Sequence, residues 1–385
     1  MSWSARLQTV GLLATFGMAG ALQFSIAIAQ ILLTVALVCW LALLAMRSER
    51  FAVPRFFWPL LLYAAATLVS TAFSPEPLVS LLPDKQMVLF LVVPLVYTFV
   101  TGPRASTMVT VVVSCAAASA AIGIFQYGIL HYDNLGQRPQ GTLGHYMTYS
   151  GLLMLVIGAA LARVLFGRRD RVWAGLVLPA LAVAVLLTFT RSAAVGACAA
   201  AALLFSLKDF RLLAVLPVAA AIFFGLAPST LTARFVSTFN LKDPTSRDRI
   251  AMLHEGAHMV RDHPLVGIGP NMVERLYAQY RVPEAVKALN PHLHNVPMQI
   301  AAERGLPALA FWLWFIVTLT VDLVRRLHDA PRVLAATALA AVTSMLAAGM
   351  FEYNFGDSEF LMLFLVLVTL PFAAARTDSP ARPAA

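Results

Sequence analysis

The residues best suited to chemistry in this sequence are two histidines, His292 and His294, in the segment NPHLHNVPMQIAAERGLP. A neutral imidazole near pH 7 can take a proton from a hydroxyl, and the neighbouring Asn295 could orient that imidazole or a substrate. Glu303 lies nine residues beyond His294, as a hydrogen-bonding partner inside a helix or as the ion-pair partner of Arg304. Arg191, in LLTFTRSAAVG, stands between two apolar runs with almost no loop around it. It is either an interfacial arginine reaching for headgroups or a planar fork for an anionic phosphate, and the small residues Ser192, Ala193 and Ala194 favour the second by allowing close approach. Arg247, Arg249 and Arg261 follow in SRDRIAMLHEGAHMVRDHPLVGIGP. Surface pairing with acidic neighbours explains Arg247 and Arg261 about as well as ligand binding does. Together with Arg191 they offer a cationic cluster for which a lipid-linked diphosphate is the obvious polyanion.

A competing signal sits in the same segment. His254-Glu255-Gly256-Ala257-His258 matches H-E-x-x-H, in which two histidines one helical turn apart hold zinc and the glutamate activates water. The longer metalloprotease continuation fails, because Arg261 and Pro264 stand where a glycine and a third histidine belong, and Gly256 is a poor helix former. Glu274 or His263 would have to supply the third ligand. A membrane zinc protease is therefore a distant alternative, and no metal ligands are assigned. Glu76, Asp84 and Asp133 occur singly, without the paired carboxylates that hold a divalent ion. His131, Arg138 and His145 mark a short loop that could line the same cavity, and Asp357 and Glu359 could orient a substrate or simply cap a helix.

The elements that must position these groups follow from composition. The 385 residues are 60% hydrophobic and only 12% charged, about half the charged fraction of soluble domains. Apolar runs recur from end to end, each long enough to satisfy its own backbone inside a bilayer, so the chain reads as an all-α polytopic membrane protein. Cutting at charge clusters and Pro/Gly breaks gives about twelve spans, near 7–24, 27–46, 57–73, 85–101, 106–129, 146–166, 172–189, 192–207, 211–226, 297–324, 333–350 and 358–375. Residues 1–226 thus hold nine spans, 227–296 a long polar loop that is partly helical, 297–375 three more spans, and 376–385 a tail. Within the loop, 247–262 and 271–288 are expected helices. Arg6 precedes roughly 38 mostly apolar residues with no cleavage site, which reads as two retained spans.

Arginine and lysine crowd alternate connections: Arg47, Arg50 and Arg55, then Arg104, then Arg163 to Arg171, then Lys208 and Arg211, then Arg325, Arg326 and Arg332, with Arg376 and Arg382 in the tail. The positive-inside rule places those connections and both termini in the cytoplasm and the 227–296 loop outside. That topology accounts for the formal charge of +9 better than nucleic-acid binding, since the basic residues are not interleaved with aromatics. Cys39, Cys115 and Cys198 lie in apolar runs without metal or disulfide spacing.

The order and spacing of FTRSAAVG, of Arg249 ahead of HPLVGIGP, and of HLHN followed by ERG resemble the bacterial O-antigen ligase and polymerase superfamily of integral-membrane glycosyltransferases. The resemblance implies a GT-C-like fold in the bacterial inner membrane with a periplasmic active site. It implies inverting, metal-independent transfer of a glycan from undecaprenyl diphosphate, without cofactor or nucleotide sugar. In the ligase branch the acceptor is a lipid A–core hydroxyl of lipopolysaccharide. Carried onto this sequence, the family's outer-end arginine matches Arg191, its loop arginine matches Arg249, and its histidine before asparagine matches His294. The ligase pattern continues through Gly305 and departs at Ala308-Leu309, where threonines are expected, so a polymerase of the same superfamily is the alternative. A flippase for lipid-linked sugars would also want a basic outer cavity, but no matching pair of broken helices is visible.

Overall fold

The computed structural model describes residues 2–237, 240, 243–328 and 332–376. Apart from Arg376, the tail expected over 376–385 lies outside the described residues, as does Arg382. Among the described residues the structure is all-helical, without a strand. Every expected span is found as helix: α1 (Trp3–Ala21), α2 (Ile26–Ala45), α3 (Phe57–Ala72), α4 (Pro77–Asp84), α5 (Val92–Phe99), α6 (Arg104–Gly128), α7 (Tyr146–Phe166), α8 (Arg171–Leu187), α9 (Arg191–Lys208) and α10 (Val215–Leu226), then α11 (Ser229–Val236), α12 (Pro244–Asp262) and α13 (Met272–Tyr280) in the polar region, then α14 (Val296–Arg326), α15 (Arg332–Gly349) and α16 (Ser358–Ala374). Tight 3-10 turns at Lys85–Leu91 and Phe210–Ala214 join α4 to α5 and lead into α10. Among the described residues seven helical stretches are long and apolar enough to cross a membrane, while Phe57–Ala72, Arg171–Leu187, Phe210–Leu226 and Ser358–Ala374 are shorter apolar helices.

The centre of the bundle is made by α7, α15 and α16, whose side chains are buried almost along their whole lengths. Close approach there depends on small residues, as expected where lipid gives helices no hydrophobic reason to associate. A Cβ at Gly196 of α9 would lie 2.9 Å from the Ser344 carbonyl of α15, and the Ser344 hydroxyl donates to the Gly196 carbonyl at 3.2 Å. Gly196, five residues after Arg191, thus serves helix packing. The basic connections meet at the opposite end of the bundle. Arg376 donates to the Tyr97 carbonyl at 2.9 Å and pairs with Glu49 at 3.0 Å, and the guanidinium of Arg332 lies over the Phe166 ring.

Around the polar region two local features differ from the expectation. The expected span at 297–324 is not one continuous helix. Gly305 has φ +80°, a conformation that side-chain-bearing residues rarely adopt, and Pro307 follows, so α14 breaks into a short polar segment and a long apolar one. The turn HPLVGIG fills the break and satisfies its backbone: Ile268 N–H donates to the Ala302 carbonyl, Gly269 N–H to the Glu303 carbonyl, and Leu306 N–H to the Pro264 carbonyl, all at 2.8–2.9 Å. A Cβ at Gly305 would stand 2.2 Å from the Leu265 carbonyl oxygen, so only glycine fits this crossing. The expected helix over 271–288 stops at Tyr280, because Pro283 disfavours helical geometry at the residue before it. The loop that follows is pinned to α12 by buried carboxylates. Asp248 Oδ1 accepts from the N–H groups of Val286 and Lys287 at 3.1 Å each, and Glu255 Oε1 accepts from Val282 N–H at 3.2 Å.

Candidate functional site

His294 stands two residues before the start of α14. Asn295 caps that helix, its Oδ1 accepting from Met298 N–H at 2.9 Å, while its Nδ2 donates to the Met350 carbonyl at 3.2 Å. Asn295 therefore ties the start of α14 to the loop that leaves α15, and positions rather than reacts. His294 itself has φ +49°, a strained value for a side-chain-bearing residue. The strain is held in place by Asn295 and by Leu293 N–H, which donates to Gln299 Oε1 at 2.6 Å.

In this pose the His294 ring meets a group that the sequence reading did not single out. Nδ1 of His294 lies 3.1 Å from both carboxylate oxygens of Glu352, and Nε2 of His292 lies 3.3 Å from Oε1 of the same residue. An ionised carboxylate only accepts, so each of these ring nitrogens carries its hydrogen toward Glu352. For His294 this leaves Nε2 with a free lone pair, the form a general base needs. Burial alone would raise the Glu352 pKa, but the hydrogen bonds from His292 and His294, and the positive charge these imidazoles carry when protonated, hold it well below the ordinary carboxylate range. Tyr353 N–H adds a further bond to Oε1 at 3.1 Å. His292, His294 and Glu352 are also the one trio of such groups among the described residues whose ligand atoms, all within 4.8 Å of one another, could hold a metal ion.

Arg191 is the first residue of α9 and only 6% exposed. Its Nη1 donates to Ser237 Oγ at 3.2 Å, and its Nη2 lies 3.7 Å from Asp243 Oδ1 without a hydrogen bond of its own. Arg234 and Arg249 are close enough to repel it electrostatically. Burial pushes the Arg249 guanidinium pKa down, Glu352 opposes that shift, and Arg234 adds to it. Arg249 thus links the arginine group to the His294–Glu352 pair. Arg234, which the sequence reading passed over, belongs to the same group, and Arg138 feels its charge from the loop before α7, where its guanidinium lies 4.2 Å from the Tyr146 ring centroid. The structure therefore brings Arg191, Arg234, Arg249, His292, His294 and Glu352 to one end of the bundle.

The remaining candidates are placed elsewhere. Arg247 is exposed on α12, and Arg261, 73% exposed, pairs with Asp262 at 3.2 Å in the last turn of that helix, about 18 Å along the axis from Arg249 at 1.5 Å per residue. Glu303 is buried, pairs with Arg304 at 2.8 Å and accepts Asn271 N–H at 2.8 Å, so it braces the break in α14. In the H-E-x-x-H segment, His254 and His258 are exposed on one face of α12 while Glu255 is fully buried on the other, bonded to Val282. A glutamate turned away from both histidines cannot activate water on a metal that they hold. Asp357 caps α16 through Phe360 N–H at 2.9 Å and accepts the Thr148 hydroxyl, and His145 caps α7. Next to the histidines an apolar cavity of about 290 Å³ opens between α14 and α15, lined by Val296, Pro297, Trp312, Met345 and Met350.

No curated protein matches the chain. Residues 176–313, which run from α8 through Arg191, Arg249, His294 and the broken helix, match the family model described as O-antigen ligase. Over those residues the chain is similar to the O-antigen ligase family, and the matched segment lies within a polytopic helical scaffold.

Proposed function

We propose that the protein is an O-antigen ligase of the bacterial inner membrane, moving a glycan from undecaprenyl diphosphate to a lipid A–core hydroxyl on the periplasmic face. The observation that carries this reading is the His294–Glu352 pair standing beside Arg191, Arg234 and Arg249. Nε2 of His294 takes the proton of the acceptor hydroxyl as its oxygen attacks the anomeric carbon. The bond from that carbon to the diphosphate oxygen breaks on the opposite face, its electron pair leaves with the diphosphate, and the configuration inverts. Glu352 stays ionised and stabilises the imidazolium that forms. The arginines face the growing charge on the diphosphate, which needs no proton to leave once that charge is offset. The apolar cavity between α14 and α15 would take the first isoprene units of the carrier, which brings the diphosphate to the histidines. The basic connections at the far end of the bundle support cytoplasmic termini and an outward-facing site.

The test is transfer by the purified full-length protein from an undecaprenyl-diphosphate-linked glycan to lipid A–core, in buffer with and without a strong chelator. Equal transfer in both supports metal-independent ligation. Extension of the carrier-linked glycan with no product on lipid A–core would assign the polymerase activity instead.

A further inference from the structure

We propose that His292, His294 and Glu352 form a binding site for a first-row transition-metal ion, zinc above all, and that the bound ion switches off transfer. Two imidazoles and a carboxylate with a fourth position open is a ligand set that zinc accepts. Imidazole nitrogen also favours zinc, copper and nickel over magnesium and calcium. The separations suit it as well. A tetrahedral ion with bonds of about 2.0–2.1 Å keeps its ligand atoms about 3.3 Å apart. Glu352 stands 3.1 Å from His294 Nδ1 and 3.3 Å from His292 Nε2. The imidazole rings are tilted 54° to one another with centroids 4.2 Å apart, and an ion would replace the two hydrogens that now point at one carboxylate. Asn295 holds the histidine loop against the Glu352 loop, and Tyr353 N–H orients the Glu352 carboxylate, both from outside the ligand set, as supporting groups do in built sites.

The inhibitory half of the proposal rests on the assignment of His294 as base. A neutral imidazole carries one hydrogen. With Nδ1 bonded to Glu352 the hydrogen is on Nδ1 and Nε2 is the base. With Nδ1 bonded to a metal the hydrogen moves to Nε2, and no lone pair is left to receive the acceptor's proton. The ion thus stops the reaction by fixing the wrong tautomer, without entering the diphosphate site. Arg249 opposes a cation here, so binding is reversible by chelators and weaker than in a fully anionic cage.

The experiment uses full-length protein purified without a histidine tag, stripped of metal, and carrying H254A/H258A so that the exposed pair on α12 does not compete. Cobalt(II) is titrated in and read by the visible ligand-field bands of a low-symmetry, four-coordinate ion. One equivalent is expected, with affinity falling about 100-fold or more when either His292→Gln or Glu352→Gln is added, since losing a ligand costs at least as much as losing a supporting group. Titrations unchanged by both substitutions would overturn the site. In the transfer assay, zinc at a concentration that fills the site should remove most of the activity, and chelation should restore it. Full transfer with the site occupied would overturn the switch. Failure of metal-free protein to transfer counts against the ligase reading alone, because cobalt binding is read without substrate.

Discussion

His294 and Glu352 are 58 residues apart in the chain, and Nδ1 of the one lies 3.1 Å from both oxygens of the other. The pair is assembled from the start of α14 and the loop after α15, with Asn295 bonded across the gap to the Met350 carbonyl. It fixes which nitrogen of His294 is free to act.

If Glu352 sets that tautomer, Glu352→Gln should lower kcat by roughly 10²–10⁴-fold with little change in the KM for either substrate. Steady-state transfer kinetics check this. A fall in affinity at unchanged kcat would mean that Glu352 binds substrate instead.

Glu352 also links stability to pH. Its folded pKa is depressed, so its contribution is fully present above the unfolded carboxylate value, about 4.3, and is lost as pH falls from there toward the folded value. The melting-temperature gap between wild type and Glu352→Gln, measured in detergent, should be constant near neutrality and shrink below about pH 4.3. A gap that grows on acidification would reverse the sign of the assignment.

The arginines should separate by position. Arg191→Lys keeps a charge and loses the fork, and is expected to cost about 10²–10³-fold in turnover, with Arg249→Ala similarly severe. Arg261→Ala, exposed and paired with its neighbour, should stay within about 0.5 kcal/mol in stability and close to wild type in rate. Equal defects at all three would require a diphosphate site spread along α12.

Gly305→Ala puts a Cβ against the Leu265 carbonyl in a left-handed conformation, and should destabilise the protein by about 2 kcal/mol or more. Thermal unfolding of purified protein reads this directly. A neutral effect would mean that the break in α14 is not built around that crossing.

Much of the scaffold could be read from the sequence because lipid imposes one rule, that each apolar run must satisfy its own backbone, and every expected span is a helix. The break at Gly305 was not legible, since Gly305 and Pro307 could equally sit in a kinked span. What closes the break is a turn from a distant segment. Arg191, Arg249 and His294 stood out by type and position. Glu352 did not: FEYNFGDSEF holds three carboxylates, Glu352, Asp357 and Glu359, and nothing local says that the first of them returns to the histidines. A lone carboxylate at the end of an apolar run, next to aromatics, was the available signal. Burial decided the H-E-x-x-H segment, because Glu255 belongs to the inner face of α12 and the two histidines to the outer.

The most direct test of His294 as general base is single-turnover glycan transfer by purified His294→Ala beside wild type, with folding checked by thermal unfolding and donor saturating. Loss of about 10²–10⁴-fold in the transfer step, in a protein that melts like wild type, is the expected result. Transfer at the wild-type rate by that variant would contradict the mechanism.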